Sequence, residues 1–108
     1  MTGDPACLHV VTTVDSTDAA ATLARSAVNA RLAACAQVSG PITSTYWWNG
    51  AVEDAQEWVI TFKTTADSYA ALEQHIRENH PYETPEILAL PIVAGNPAYL
   101  SWVRAETR

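Results

Sequence analysis

The stretch Ile42–Thr65, which reads ITSTYWWNGAVEDAQEWVITFKTT, decides the fold of this chain. Its opening residues are rich in Thr, Tyr and Trp, which favour β-strands. The dipeptide Asn49-Gly50 follows, and both residue types tolerate the positive φ angles of a tight hairpin turn. After the turn, apolar and polar residues alternate, as in a strand with one buried face. The stretch therefore predicts a long β-hairpin with arms at 42–48 and 51–65.

The hairpin is long for a chain of 108 residues, of which Leu, Ile, Val and Phe make up only 22. So thin an apolar core cannot cover long strands, and exposed strands tend to pair with other chains. We therefore predict that the hairpin joins neighbouring subunits. Its large aromatic residues are the expected interface, namely Trp47, Trp48 and Trp58.

The rest of the chain supplies the other elements of one domain spanning residues 1–108. Apolar runs predict strands at 8–14, 35–39 and 87–93, with a break at Gly40-Pro41. Helical periodicity predicts helices at 18–34, from 67 or 68 to 79, and at 97–105. The order is β-α-β-β-α-β with a short C-terminal helix, an α+β ferredoxin-like sandwich whose usual strand order is 4-1-3-2.

Charge and leader patterns exclude several classes of protein. The chain carries 6 Lys and Arg against 12 Asp and Glu, a net charge of −6. Such a chain does not favour nucleic acid or anionic membranes, and cations are its preferred counter-charges. No basic, apolar leader is visible, and the longest uncharged run, 32–52, is too polar for a membrane helix. We therefore expect a cytoplasmic protein in which Cys7 and Cys35 are thiols.

Five motifs in order give the chain a family resemblance. They are RLAAC at 31–35, YWWNG at 46–50, FKTT at 62–65, HPYETPEIL at 80–88 and YLSWV at 99–103. Together they resemble the CutA family, the divalent-cation tolerance proteins. The resemblance implies a ferredoxin-like fold related to PII signalling proteins. It also implies a cytoplasmic homotrimer with a role in tolerance of copper and other divalent metals.

The resemblance implies a metal site whose ligands are only partly present here. Bacterial members place a Cys in the first strand and a His pair before Pro-Tyr, where this chain has Val11-Thr12 and Asn79-His80. The remaining candidate ligands are His80 and Cys35. His80 has a second interpretation, in which it bonds to the last carbonyls of the preceding helix. Cys35 has one too, as a small buried apolar group.

The resemblance to PII proteins also suggests a ligand cleft between subunits. Its candidate residues are Lys63, Tyr46, Trp48, Glu53 and Tyr82. Lys63, the one Lys of the chain, either binds an anion there or covers an exposed face with its stem. The hairpin aromatics serve either this cleft or subunit packing.

The motifs predict a binding protein rather than an enzyme. Glu83 and Glu86 lie three residues apart, but the flanking prolines indicate a rigid loop, and no phosphate loop, nucleophile elbow or HExxH motif is present. We predict a trimer without an obligatory cofactor that binds Cu²⁺ or another divalent cation weakly. The alternative is a PII-like sensor of a small molecule held between subunits.

Overall fold

A computed structural model of the chain describes residues 4–108. The strands are β1 (Cys7–Val14), β2 (Cys35–Trp48), β3 (Ala51–Thr65) and β4 (Ile87–Pro91). The helices are α1 (Thr17–Asn29), α2 (Tyr69–Asn79) and α3 (Pro97–Glu106), with a 3₁₀ turn at Ala66–Ser68 before α2. The predicted β-α-β-β-α-β order with a C-terminal helix is confirmed.

The four strands form one antiparallel sheet in the order β2-β3-β1-β4, which is the predicted arrangement. Helices α1 and α2 cover one face, and the core lies between them and the sheet. Its largest members are Phe62, Ile60, Leu72, Ile76, Val10 and Val14, all fully buried. Small Ala residues on α1 let the helix approach the strands closely, which explains how so few large side chains fill this space.

Helix α1 begins as predicted but ends earlier. The Ser16 hydroxyl accepts a hydrogen bond from the Ala19 N–H at 3.0 Å, so the helix has a side-chain N-cap. The predicted continuation to residue 34 is wrong, because Arg31 has a φ of 64° and the chain leaves the helix there. Leu32 keeps its place against the core, which is why its periodicity looked helical.

Helix α3 packs on the sheet near the start of β1. The Asn96 side chain accepts a hydrogen bond from the Ala98 N–H at 3.0 Å, and Pro97 occupies the first turn. Val103 is buried and Leu100 partly buried, so this pair faces inward. Tyr99 and Trp102 remain exposed, with ring centroids 5.5 Å apart.

The hairpin extends beyond the body of the domain and gives the molecule extents of 50 × 25 × 21 Å. At its tip the Trp47 side chain is 75 % exposed and that of Trp48 59 %. Trp58 differs from both, because it packs partly against the core of its own protomer. Within residues 4–108, no helix combines the length and apolar character needed to cross a membrane.

The Gly40-Pro41 step does not break β2 as predicted, but shifts its register. The peptide bond is cis, and β2 continues against β3 on both sides of a shift between Ser39 and Ile42. Gly40 has a φ of 140°, and a Cβ there would lie 3.0 Å from both the Glu57 carbonyl oxygen and Trp58 Cδ1. A residue without a side chain is therefore needed at this position.

The two hairpin glycines give a matched test of that requirement. We expect Gly40→Ala to lower the free energy of unfolding by about 2 kcal/mol, because it adds a steric overlap to the cost of a positive φ. Gly50→Ala carries only the cost of a positive φ, which is 80° at this residue. It adds no steric overlap, since nothing lies within 4 Å of its Cβ position. Urea unfolding of both variants measures the difference. Equal losses would show that the close approach at Gly40 is unimportant.

Candidate functional site at the base of the hairpin

His80 lies where α2 ends and bridges the loop after it to β1. Its Nε2 is 2.8 Å from the carbonyl oxygen of Thr13, and its Nδ1 accepts the Tyr82 N–H at 3.0 Å. Because a carbonyl only accepts, Nε2 carries the proton and the ring is neutral. His80 therefore does not bond to the last carbonyls of its helix, and that interpretation is wrong. The helix ends because His80 is extended, with φ −89° and ψ 141°.

Burial lowers the pKa of His80, although three groups act in the opposite direction. These are the hydrogen bond to Thr13 and the carboxylates of Asp15 and Glu57. Desolvation of the charged form is the larger effect. The imidazole is consequently neutral at pH 7, the state in which a nitrogen can bind a metal.

Tyr82 joins the same group of side chains. Its hydroxyl donates to Glu57 Oε2 at 2.8 Å, and its ring lies 4.8 Å from the His80 ring at an interplanar angle of 56°. Burial and this bond to a carboxylate raise the pKa of Tyr82 well above its usual value, with smaller contributions from Asp15 and Tyr46. We refer to His80, Tyr82, Glu57, Asp15 and Tyr46 as the His80 cluster.

The His80 cluster attracts cations but does not enclose one. It holds two carboxylates and an imidazole, yet the lone pair of Nδ1 is engaged by the Tyr82 N–H. A metal ion must displace that hydrogen bond to reach the ring. In the part of the chain that the structure describes, no three His, Cys, Asp or Glu side chains are grouped closely enough to hold a metal ion.

Cys35, the second predicted metal ligand, lies away from His80 in the same protomer. Cys35 pairs with Lys63 of β3, and Lys63 pairs with His9 of β1. His80 contacts Thr13 instead, which lies four residues further along β1 than His9. Four residues along a strand are about 13 Å. The Cys35 Sγ is 3.6 Å from the Tyr99 hydroxyl, and this contact, followed by burial, raises the pKa of Tyr99. Both Cys35 and Cys7 are free thiols.

The five predicted cleft residues divide into separate places within one protomer. Tyr46 and Glu53 are cross-strand partners on the hairpin, and Trp48 lies beside the turn. Tyr82 and Tyr46 both belong to the His80 cluster. Lys63 lies six residues along β3 from Glu57, about 20 Å at the usual rise.

The Lys63 side chain contacts a residue of the adjacent strand β2 and not the aromatic residues of the hairpin. Its Nζ donates to Gln37 Oε1 at 3.0 Å. Burial, with the Lys63 charge as a smaller cause, lowers the pKa of the facing His9. A cleft containing all five predicted residues therefore requires more than one copy of the chain.

Three polar residues of the site were not identified from the sequence. Thr13 and Asp15 stand at the end of β1, and Glu57 stands inside β3. None belongs to a motif at recognisable spacing from His80, because their proximity arises from strand pairing. His75 of α2 lies outside this site, and its Nε2 is 2.8 Å from the Ser26 hydroxyl. That hydroxyl donates to the Leu23 carbonyl, so His75 donates to it and links α2 to α1.

Comparison with known proteins identifies the family. The family model described as CutA1 divalent ion tolerance protein matches residues 8–106. The chain belongs to the CutA1 family. It is 43 % identical over 98 residues to the divalent-cation tolerance protein CutA of Thermus thermophilus, covering 91 % of this chain and 95 % of that protein. It is 40 % identical to the chloroplastic protein CutA 1 of Oryza sativa, covering 92 % of this chain and 56 % of that longer protein.

Solved structures of the family share the fold. The Thermus thermophilus structure has a TM-score of 0.92 at 41 % identity, covering 94 % of this chain and 99 % of that one. The Oryza sativa structure has a TM-score of 0.95 at 37 % identity, covering 99 % and 98 %. The resemblance drawn from the five motifs is thereby confirmed, together with the α+β fold.

Family membership does not fix where the protein is located. The Oryza sativa relative is named as chloroplastic, and a structure from Archaeoglobus fulgidus, 31 % identical with a TM-score of 0.89, is named as periplasmic. That structure covers 93 % of this chain and 97 % of its own. The CutA1 architecture is therefore found in proteins of different compartments.

Proposed function

We propose that this member of the CutA1 family is a homotrimer that contributes to divalent-cation tolerance by binding Cu²⁺ weakly, in the cytoplasm. It needs no obligatory cofactor and catalyses no reaction. The observation that carries the proposal is the His80 cluster, in which a neutral imidazole lies within the influence of two carboxylates. Glu83 and Glu86, the two carboxylates three residues apart in the sequence, are both exposed to solvent.

The environment of His80 accounts for weak binding. Imidazole is a good ligand for Cu²⁺, but Nδ1 is engaged by the Tyr82 N–H and Nε2 by Thr13. Binding requires the loss of one of these hydrogen bonds, and the other nearby donors are oxygen atoms, which suit copper less well. We therefore expect a dissociation constant in the micromolar range or above, roughly −8 kcal/mol or less favourable.

Calorimetric titration of the reduced protein with Cu²⁺ tests this proposal. We expect His80→Ala to weaken binding about tenfold or more, and Cys35→Ser to change it little, because Cys35 lies at another part of the sheet. Binding falls as pH decreases through the lowered pKa of His80, since a protonated ring cannot bind a metal. Titrations at pH 7 and about pH 5 measure that fall.

His75→Ala is the matched imidazole control, because His75 bonds to Ser26 on the helical side and is outside the cluster. Equal weakening by His75→Ala would argue against a specific site. Nanomolar affinity in the wild type, or binding that survives His80→Ala but disappears with Cys35→Ser, would show that the site is at Cys35.

A second function is supported by the exposed aromatic residues of the hairpin. Tyr46, Trp48 and Glu53 are exposed, and Tyr46 influences Tyr82 of the His80 cluster. If another subunit covers this surface, the residues line a cleft able to hold a small molecule, as the likeness to PII proteins suggests. A thermal-shift screen against Cu²⁺, Zn²⁺ and nucleotides separates the two functions. A ligand that prefers the folded state raises Tm, so nucleotides without effect would exclude a nucleotide sensor.

A further inference from the structure

A cavity lies between the C-terminal end of α1 and the C-terminal half of α3, and we call it the α1–α3 cavity. Its volume is about 380 Å³. Apolar walls come from Val28 of α1 and from the buried Ala33 and Ala34, and the exposed Trp102 of α3 adds an aromatic one. A cavity of this size and character suits a small organic molecule.

The charged side chains of the cavity are one cation and one anion. Arg31 Nη1 donates to Glu106 Oε1 at 2.6 Å, and both side chains are nearly half exposed. Within residues 4–108, Arg31 Nε and Nη2 and Glu106 Oε2 take part in no hydrogen bond, so both residues keep capacity for a ligand. An exposed ion pair of this kind stabilises a fold only slightly, so a ligand rearranges it at little cost.

The backbone around Arg31 forms the cavity before any ligand binds. The Arg31 N–H donates to the Val28 carbonyl at 3.0 Å, and the Arg31 carbonyl accepts the Arg108 N–H at 2.9 Å. The second bond ties the residue after α3 to the turn after α1. A preformed cavity avoids the ordering cost that would otherwise weaken binding.

We propose that the α1–α3 cavity binds a small zwitterion with an aromatic side chain, of the chemical class of the aromatic α-amino acids. Its carboxylate accepts from the guanidinium of Arg31 and its ammonium donates to Glu106, so the four charges alternate in sign. Its ring packs on Trp102 and on the apolar walls.

The ion pair is the reason why a zwitterion fits better than a singly charged ligand. An anion gains Arg31 but is opposed by Glu106, and a cation gains Glu106 but is opposed by Arg31. A zwitterion satisfies both residues. Because it is neutral overall, the net charge of −6 on the chain neither attracts nor repels it.

This site requires neither a free sheet edge nor the His80 cluster. Its residues belong to α1, to α3 and to the connection before β2, so subunits can pair along the sheet without using them. The Ala34 N–H donates to the Lys63 carbonyl at 2.9 Å, which places the cavity at the Lys63 end of β3, whereas His80 contacts Thr13 at the far end of β1. This inference goes beyond the proposed function, and either can fail alone.

Calorimetric titration of the full chain with related compounds tests the charge pattern. L-phenylalanine has the ring and both charges; phenethylamine lacks the carboxylate, 3-phenylpropionate lacks the ammonium, and L-alanine lacks the ring. We expect L-phenylalanine to bind with a Kd of about 1 mM or lower, and each other compound about tenfold more weakly. Equal binding of any of the three, or no heat up to about 10 mM L-phenylalanine, would overturn the proposal.

Two variants of the ion pair assign the charges separately. Glu106→Gln should abolish the preference for L-phenylalanine over 3-phenylpropionate, and Arg31→Gln should abolish the preference over phenethylamine. Glu73→Gln is the matched control, because it breaks the Arg77–Glu73 pair on α2 at 3.5 Å. The control should leave all affinities within about twofold, and circular dichroism checks that each variant is folded. Unchanged preferences in Glu106→Gln and Arg31→Gln would show that the ligand binds elsewhere.

Proton–nitrogen NMR spectra locate the bound L-phenylalanine. The indole N–H signal that Trp102→Ala removes belongs to Trp102, and it should shift when L-phenylalanine is added to the wild type. The same variant should weaken binding about tenfold. Full affinity in Trp102→Ala, or a shift confined to the other indole signals, would contradict the proposal.

Discussion

Trp47→Ala is expected to convert the proposed trimer into smaller species at micromolar concentration. The wild-type protein should scatter light as an assembly of about three times the 11.7 kDa chain. Trp47 is 75 % exposed in the single chain, an unusual position for a large apolar ring unless another subunit covers it. Truncating an aromatic anchor at the centre of an interface costs about 2–4 kcal/mol. Size-exclusion chromatography with light scattering measures the loss.

Trp102→Ala is the control for this prediction. Trp102 is 41 % exposed on α3, so the variant removes the same ring from a surface outside the hairpin. We expect it to remain trimeric. A monomeric wild type would contradict both the hairpin argument and the proposed assembly, and dissociation by Trp102→Ala alone would place the interface on α3.

Two buried threonines should respond in opposite directions to replacement by valine. Within residues 4–108, Thr12 is fully buried and its hydroxyl has no hydrogen-bond partner. Thr64 is equally buried, but its hydroxyl donates to the Leu32 carbonyl at 2.7 Å. We expect Thr12→Val to raise the free energy of unfolding by about 1–2 kcal/mol, because it removes an unsatisfied polar group. Thr64→Val should lower it by about 1–3 kcal/mol, because it removes the hydrogen bond that the Leu32 carbonyl accepts.

Comparing the two variants controls for the effect of exchanging Thr for Val. Both exchange a hydroxyl for a methyl group in a β-branched side chain on the helix-covered side of the sheet, so packing changes are alike. Urea unfolding should separate them by about 3 kcal/mol. Equal effects of both variants would show that the Thr12 hydroxyl has a partner in solution.

The candidate metal site at His80 illustrates how context changes the chemistry of a residue. His80 was predicted as a ligand from its place before Pro-Tyr, and the structure gives both of its nitrogens a hydrogen bond. Its neutral state favours metal binding, whereas its two hydrogen bonds oppose it. The proposed weak affinity for Cu²⁺ follows from this competition alone. It does not depend on the absence of the first-strand Cys or the second His of the family's metal site.

The sequence by itself determined the elements that depend on local interactions. Asn49-Gly50 specified the hairpin turn, because few residue types accept its positive φ angles, and Asn49 indeed has a φ of 50°. Alternation placed Ile60 and Phe62 in the core, where both are fully buried. The order of strands and helices, and with it the ferredoxin-like topology, followed from these patterns.

Only the tertiary structure decided which distant groups meet. The His80 contact with Thr13 joins residues 67 positions apart, and the Tyr82 bond to Glu57 spans 25 positions. The register of β1 and β3, which pairs Val14 with Trp58, brings the two bonds close together at the end of β1. The apolar periodicity also could not reveal that α1 ends at Asn29, since Leu32 packs on the core from outside the helix. Burial and hydrogen-bond partners are properties of the assembled sheet, so no pattern of neighbouring residues contains them.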